Sequence, residues 1–244
     1  MRARIVDMSH VCGESAASGM RLHARKNGFL HSPAALLLAG MACIQNVRGA
    51  ELAVNVRTAD GRPLAGAVVM AHALEAGSRP NAPVHAIMDQ INLAFVPDVL
   101  IIPVGSSVQF PNTDSVSHQI YSFSPAKRFQ LPLYRGTQYS PVRFDQPGLV
   151  TLGCNIHDSM LAYIVVSDAA FFGRTNAAGV WSAGAMPAGR YRISIWPPRM
   201  RETMGEIAQE LQLGDAASNE ATLRVGKPLK PAPLEARPRS WSAY

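Results

Sequence analysis

The residues with most chemistry to offer lie at 149–161, where an apolar, β-type segment runs into a short loop. That loop carries Cys154, His157 and Met160, spaced Cys-x2-His-x2-Met. A thiolate and an imidazole three residues apart reach one ion from a single tight loop, and a thioether three further on approaches along its axis. The donor set suits copper held by two His and one Cys with a weak axial Met. One strong donor is missing, a second imidazole from elsewhere in the chain. Taken singly, the same residues have plainer readings, because a lone Cys is often a small buried hydrophobe and Met often fills a core gap.

The rest of the chain bears on that choice. Residues 1–50 read as a secretory leader. Arg21, Arg25 and Lys26 form a positive region, 29–44 a mostly apolar stretch, and 47–50 a small-residue cleavage site. Met20 would make a more ordinary start. His31, Ser32 and Pro33 interrupt the apolar stretch, which is too short for a span, so no membrane span is expected in the mature form. Cys43 lacks the bulky aliphatic residue three positions earlier that lipidation requires.

Removing the leader takes Cys12 and Cys43 with it and leaves Cys154 alone. In an oxidising, periplasmic compartment that thiol has no internal disulfide partner. It is then buried and inert, dimer-forming or a metal ligand, and His157 beside it favours the ligand. The charge also changes. The net charge of +6 includes six Lys/Arg and two Asp/Glu from residues 1–50, so the exported form carries 17 basic and 15 acidic groups, a net +2. Four of those basic residues, Lys227, Lys230, Arg237 and Arg239, lie in the last eighteen positions. No basic stripe with interleaved aromatics is present, so no nucleic-acid partner is expected.

The elements that must position the loop read as strands throughout. Leu52, Val54 and Val56 alternate with Ala53, Asn55 and Arg57, the pattern of a half-buried strand. Asp60-Gly61 makes a turn, 65–71 a second strand, and 77–83 a polar connector. A β-rich block fills about 86–168. Beyond it come a turn at 175–179, a short strand at 180–182, a turn at 186–189, and a strand at 190–196 with Tyr191, Ile193 and Ile195 on one face. Ile207, Leu211 and Leu213, then Ala221, Leu223 and Val225, mark two more strands, with a short helix at 201–210 as the alternative. The Pro- and charge-rich tail from 227 is expected to be disordered.

The middle block, with Phe110-Pro111-Asn112, His118-Gln119-Ile120-Tyr121 and Leu152-Gly153-Cys154-Asn155-Ile156-His157, resembles the cupredoxins of the plastocyanin and amicyanin class. It resembles still more the cupredoxin-like proteins called methylamine utilization proteins. The resemblance covers about a third of the chain, and it implies that His118 is the second imidazole. Where that family often has His-His-Val, this chain has His118-Gln119-Ile120, which implies one ion and frees the Gln119 amide to brace the Cys loop. Asn112 and Gln119 are then candidates for bonding around the sulfur. The flanks, Asp60-Gly61-Arg62-Pro63 and Pro187-Ala188-Gly189-Arg190-Tyr191, more loosely resemble transthyretin-like regulatory domains of carboxypeptidases.

The expected architecture is therefore all-β: a cupredoxin-like Greek-key β-sandwich, 85–168, inserted between the two parts, 51–84 and 169–226, of a transthyretin-like β-sandwich, with one enlarged β-sandwich without separable parts as the plainer alternative. The expected metal ligands are His118, Cys154, His157 and Met160, holding one copper ion. Asp158 is expected to face solvent, and Tyr121, Tyr163 and Leu161 to serve packing. Enzyme readings lack their residues. No paired His-x-His exists for a trinuclear copper centre, and only His72 and His85 remain for a second copper. Motifs for a serine hydrolase, a phosphate loop or a zinc protease are absent. Two functions remain. One is an exported redox shuttle serving a dehydrogenase or cytochrome through the His157 edge. The other is a copper-binding or delivery module without redox turnover.

Overall fold

The computed structural model describes residues 49–75, 81–198, 204–214 and 218–226. They belong to one unit of the chain, Asn46–Tyr244. The expected leader, apart from Gly49 and Ala50, and the expected tail lie outside the described residues.

Among the described residues every element is a strand, and the protein is all-β. In chain order they are β1 (Ala50–Thr58), β2 (Val68–Ala73), β3 (His85–Ile87), β4 (Asp89–Ile91), β5 (Ala94–Val96) and β6 (Val99–Pro103). There follow β7 (Ser106–Gln109), β8 (His118–Ser124), β9 (Lys127–Tyr134), β10 (Val142–Phe144), β11 (Gly148–Gly153) and β12 (Leu161–Ser167). The last five are β13 (Phe171–Arg174), β14 (Val180–Met186), β15 (Gly189–Trp196), β16 (Ile207–Leu213) and β17 (Asn219–Val225).

Most boundaries follow the alternation read from sequence, with four differences. Ala50, placed in the leader, opens β1 and is buried. The second strand starts at Val68 because Gly66, at φ +75°, still belongs to the preceding turn. The strand expected at 180–182 runs on to Met186 by pairing with β1. Residues 207–210 are strand rather than helix, since β16 lies antiparallel to β15 along its whole length.

Two hydrophobic cores result. The first lies between a three-stranded sheet, β14-β1-β17, and a four-stranded sheet, β13-β2-β15-β16. Leu52, Val54 and Val56 of β1 meet Val69, Ile193 and Ile195 there. The second lies under a five-stranded sheet, β6-β12-β11-β8-β9, with β10-β7-β3 opposite. Ile120, Val150, Leu152, Ile164, Val108 and Phe110 fill it.

A third cluster joins the two, and strand parity explains it. Successive side chains on a strand point to opposite faces. On β2, Val69 and Ala71 enter the first core, so Val68 and Met70 point the other way. On β12, Ile164 and Val166 enter the second core, so Val165 faces outward. These outward residues meet, with Val99 of β6 and Trp196 of β15, in one buried cluster. That is why β2 and β15 have runs of consecutive buried residues where simple alternation marks one face only. The Trp196 ring stands edge-on to Tyr163 at 5.0 Å, and Arg174 of β13 bonds Asp98 before β6 at 3.2 Å. The ion pair is largely exposed and adds little, so apolar burial holds the sheets together.

Trp196→Ala empties the centre of this junction and is expected to destabilise the protein by about 3–5 kcal/mol. Urea unfolding checks it: a loss below about 1 kcal/mol would mean that the cluster does not bind the two cores together.

Candidate metal centre

The site sits at one end of the five-stranded sheet, where β8 begins and β11 passes into β12. The pairing of Gly153 with Leu161 closes the 154–160 loop. Leu152 and Ala162, one step inside that pair, face the second core, and so do Cys154 and Met160, one step outside it; both are buried. Gly153 also pairs with Tyr121 of β8. Tyr121 is thus on the outer face, while Ile120 and His118 share the inner one. A period of two puts His118, Cys154 and Met160 on the same side of the sheet.

Continuing the β8–β11 register sets Gln119 opposite Asn155, and the Asn155 side-chain amide donates to Gln119 Oε1 at 2.9 Å. The expected brace between Gln119 and the Cys loop is therefore present. The loop folds back through Met160 N–H donating to the His157 carbonyl at 2.9 Å, which turns the His157 ring inward. Gly153 has a specific reason to be glycine: a Cβ there would lie 2.7 Å from the Tyr121 ring. That ring covers the backbone immediately before the thiol.

The ring nitrogens converge. His118 Nδ1 is 3.1 Å from His157 Nδ1, and His157 Nδ1 is 4.0 Å from Cys154 Sγ. The three donor atoms all lie within 4.8 Å of one another, the only such group of three among the described residues. Three ligands at metal–nitrogen and metal–sulfur distances of about 2.0 and 2.3 Å, spread trigonally, stand about 3.5 Å (N to N) and about 3.7 Å (N to S) apart. The spacing fits a single small ion, and the mix of thiolate with imidazoles suits copper. His118 is fully buried and Cys154 is 4% exposed, whereas His157 is half-exposed. Met160 is buried at the other end of the same loop.

Behind His118 stands Asp114, which sequence reasoning missed. Its Oδ2 accepts from His118 Nε2 at 3.0 Å and from the Leu93 N–H at 2.7 Å, and its Oδ1 accepts from the Ser115 N–H at 2.7 Å. Burial pushes this carboxyl up, but the Leu93, His118 and Ser115 donors outweigh burial and hold it down at about 2. Asn112, expected near the sulfur, instead builds the Asp114 turn. Its Oδ1 accepts from the Asp114 N–H, and its amide donates to the Val116 and Tyr134 carbonyls. The only signal in the sequence was Asn112-x-Asp114 itself, a turn motif.

The remaining expectations divide. Asp158 is exposed, and Tyr121 and Tyr163 pack as expected. Leu161 does not pack; it is exposed, as are Leu93, Val116 and Ile156. His72 and His85 are engaged elsewhere, with Asp168 at 2.9 Å and Ser107 at 2.6 Å.

No family model matches this chain, and no curated protein matches it. Among solved structures it is similar to a purple cupredoxin from Nitrosopumilus maritimus, at 26% identity and a TM-score of 0.31 over 34% of this chain and 99% of that one. A copper-containing nitrite reductase from Thermus scotoductus SA-01 is similar at 24% identity and a TM-score of 0.33, over 39% of this chain and 25% of that one. An amicyanin mutant in its reduced state is similar at 18% identity and a TM-score of 0.31, over 40% of this chain and 99% of that one.

Gly153→Ala is expected to displace the Tyr121 ring at a cost of about 1 kcal/mol or more, as overpacking does. Combined with Tyr121→Ala the penalty should vanish, which a double-mutant cycle on urea unfolding measures. Simple additivity of the two changes would refute the contact.

Proposed function

We propose that residues 85–168 form a cupredoxin-like copper domain, carried between the two parts, 51–84 and 169–226, of a transthyretin-like sandwich, and that the protein is an exported electron carrier. It belongs, on this reading, with the methylamine utilization proteins that it resembles. The observation that carries the proposal is the convergence of His118 Nδ1, His157 Nδ1 and Cys154 Sγ on one small space at the end of the five-stranded sheet. His118, Cys154 and His157 would hold the ion most strongly, with Met160 as the weaker fourth ligand. Copper in such a set supplies a one-electron couple.

The chain's own residues account for the rest. β8 and the closed loop hold the donors in position before metal arrives, so little rearrangement accompanies a change of charge. Burial of His118 and Cys154 keeps water from the sulfur, and the half-exposed His157 is the one strong ligand that reaches the surface. Exposed apolar side chains neighbour residues of the centre or of its support. Ile156 precedes His157, Leu161 follows Met160, Val116 accepts from Asn112, and Leu93 donates to Asp114. An exposed apolar group next to His157, such as Ile156, suits brief contact with another redox protein, a dehydrogenase or a cytochrome. Burial of His118 and Cys154 also favours the shuttle over copper delivery, since it hinders exchange of those ligands with an acceptor. Reading the chain before β1 as a leader puts the protein in the periplasm, where Cys154 is its single thiol.

Adding Cu(II) to the protein is expected to give an intense thiolate-to-copper absorption and a matching EPR signal, both lost in Cys154→Ser. A colourless parent, or a mutant with an unchanged spectrum, refutes the copper reading. Met160→Leu is expected to keep copper bound and to raise the reduction potential in voltammetry. If binding disappears instead, Met160 is not a weak axial ligand.

A further inference from the structure

Asp114 holds a negative charge in a nearly closed space, its side chain only 8% exposed. Every group it bonds is a donor. Two of the three N–H groups at 3.0 Å or less come from different elements: Leu93 between β4 and β5, and His118 at the head of β8. Leu93 is itself unusual. Asn92 and Leu93 both have positive φ, 52° and 61°, as a two-residue hairpin loop requires. Asn tolerates that conformation, but Leu pays about 1 kcal/mol or more for it. The strained Leu93 N–H points at Asp114, and the same hairpin is tied to the Asp114 turn again through Asp89, whose Oδ2 accepts from Thr113 Oγ1 at 2.8 Å.

An imidazole carries one proton when neutral, so a hydrogen bond at one nitrogen decides what the other can do. With Nε2 donating to a carboxylate, which has no proton to give, His118 presents a bare lone pair at Nδ1. That is the atom 3.1 Å from His157 Nδ1, which itself lies 4.0 Å from Cys154 Sγ. The alternative, Nδ1–H, would aim a proton at the metal position and face Nε2 against the carboxylate's lone pairs.

We propose that Asp114 is a positioning residue of this centre: it fixes His118 as the Nε2–H tautomer, and its buried charge favours the more highly charged state of the metal. The second half rests on the copper reading above; the first does not. A fixed anion close to a ligand raises the basicity of that ligand and stabilises Cu(II) more than Cu(I). Asp114 therefore draws the potential down, in the direction opposite to the Met160→Leu change.

The test uses the whole protein. In the metal-free parent, nitrogen–proton correlation NMR of the rings is expected to find His118 as Nε2–H. Finding Nδ1–H overturns the proposal whether or not the protein binds copper. Asp114→Asn keeps an acceptor and removes the charge. It is expected to retain the thiolate-to-copper absorption while the ratio of Cu(II) to Cu(I) affinity falls about tenfold, with the potential rising to match. A copper-loaded Asn variant with an unchanged ratio overturns the electrostatic role and leaves Asp114 as a loop anchor. A parent that takes up no copper refutes the copper reading instead, and the ring tautomer still decides what Asp114 does.

Discussion

A strand sends alternate side chains to alternate faces, and the candidate centre depends on that rule in two places at once. β8 must deliver His118 to the same face on which β11 and β12 leave Cys154 and Met160. A slip of one residue in either pairing would move a ligand to the outer face. The register is held by buried side chains on the inner face, Ile120, Leu152 and Ala162, and by the Tyr121 ring lying over Gly153 on the outer one. The core does not merely support the site from below. It sets which residues the site contains.

Once the register is set, the surroundings of each donor differ. His118 is enclosed and backed by a carboxylate, Cys154 lies among the apolar side chains of the second core, and His157 alone among the three is half-exposed. The Cys154 side of the candidate centre is thus shielded from water, while the His157 edge is the point at which another molecule can touch it. The asymmetry follows from topology: one imidazole comes from a strand inside a sheet and the other from the tip of a loop.

Much of this was legible in the residues. The Cys-x2-His-x2-Met loop stood out by spacing, and the period-two pattern located most strands. His118 became a candidate only through family resemblance, because thirty-five intervening residues hide its proximity to Cys154. Asp114 was not legible at all. Its role needs the Asn112 turn, the Leu93 hairpin and the start of β8 to meet, and no local pattern announces such a meeting. Nor did alternation reveal the junction between the cores. Tyr191, Ile193 and Ile195 were recognised as one buried face of β15, but Ser194 and Trp196 are buried too, on the other. A polar residue beside a terminal Trp looks like an exposed edge until a second sheet is known to cover it.

That covering sheet has a consequence for where the chain can be cut. The outward faces of β6 and β12 end at Ser167, yet Trp196, which helps to cover them, lies about thirty residues further along the chain. Until β15 docks, Val99 and Val165 have only the earlier β2 to shield them. Closing the outer sandwich over these two valines therefore needs a segment well beyond the candidate loop, and a chain cut before β15 would carry the donors on an uncovered support.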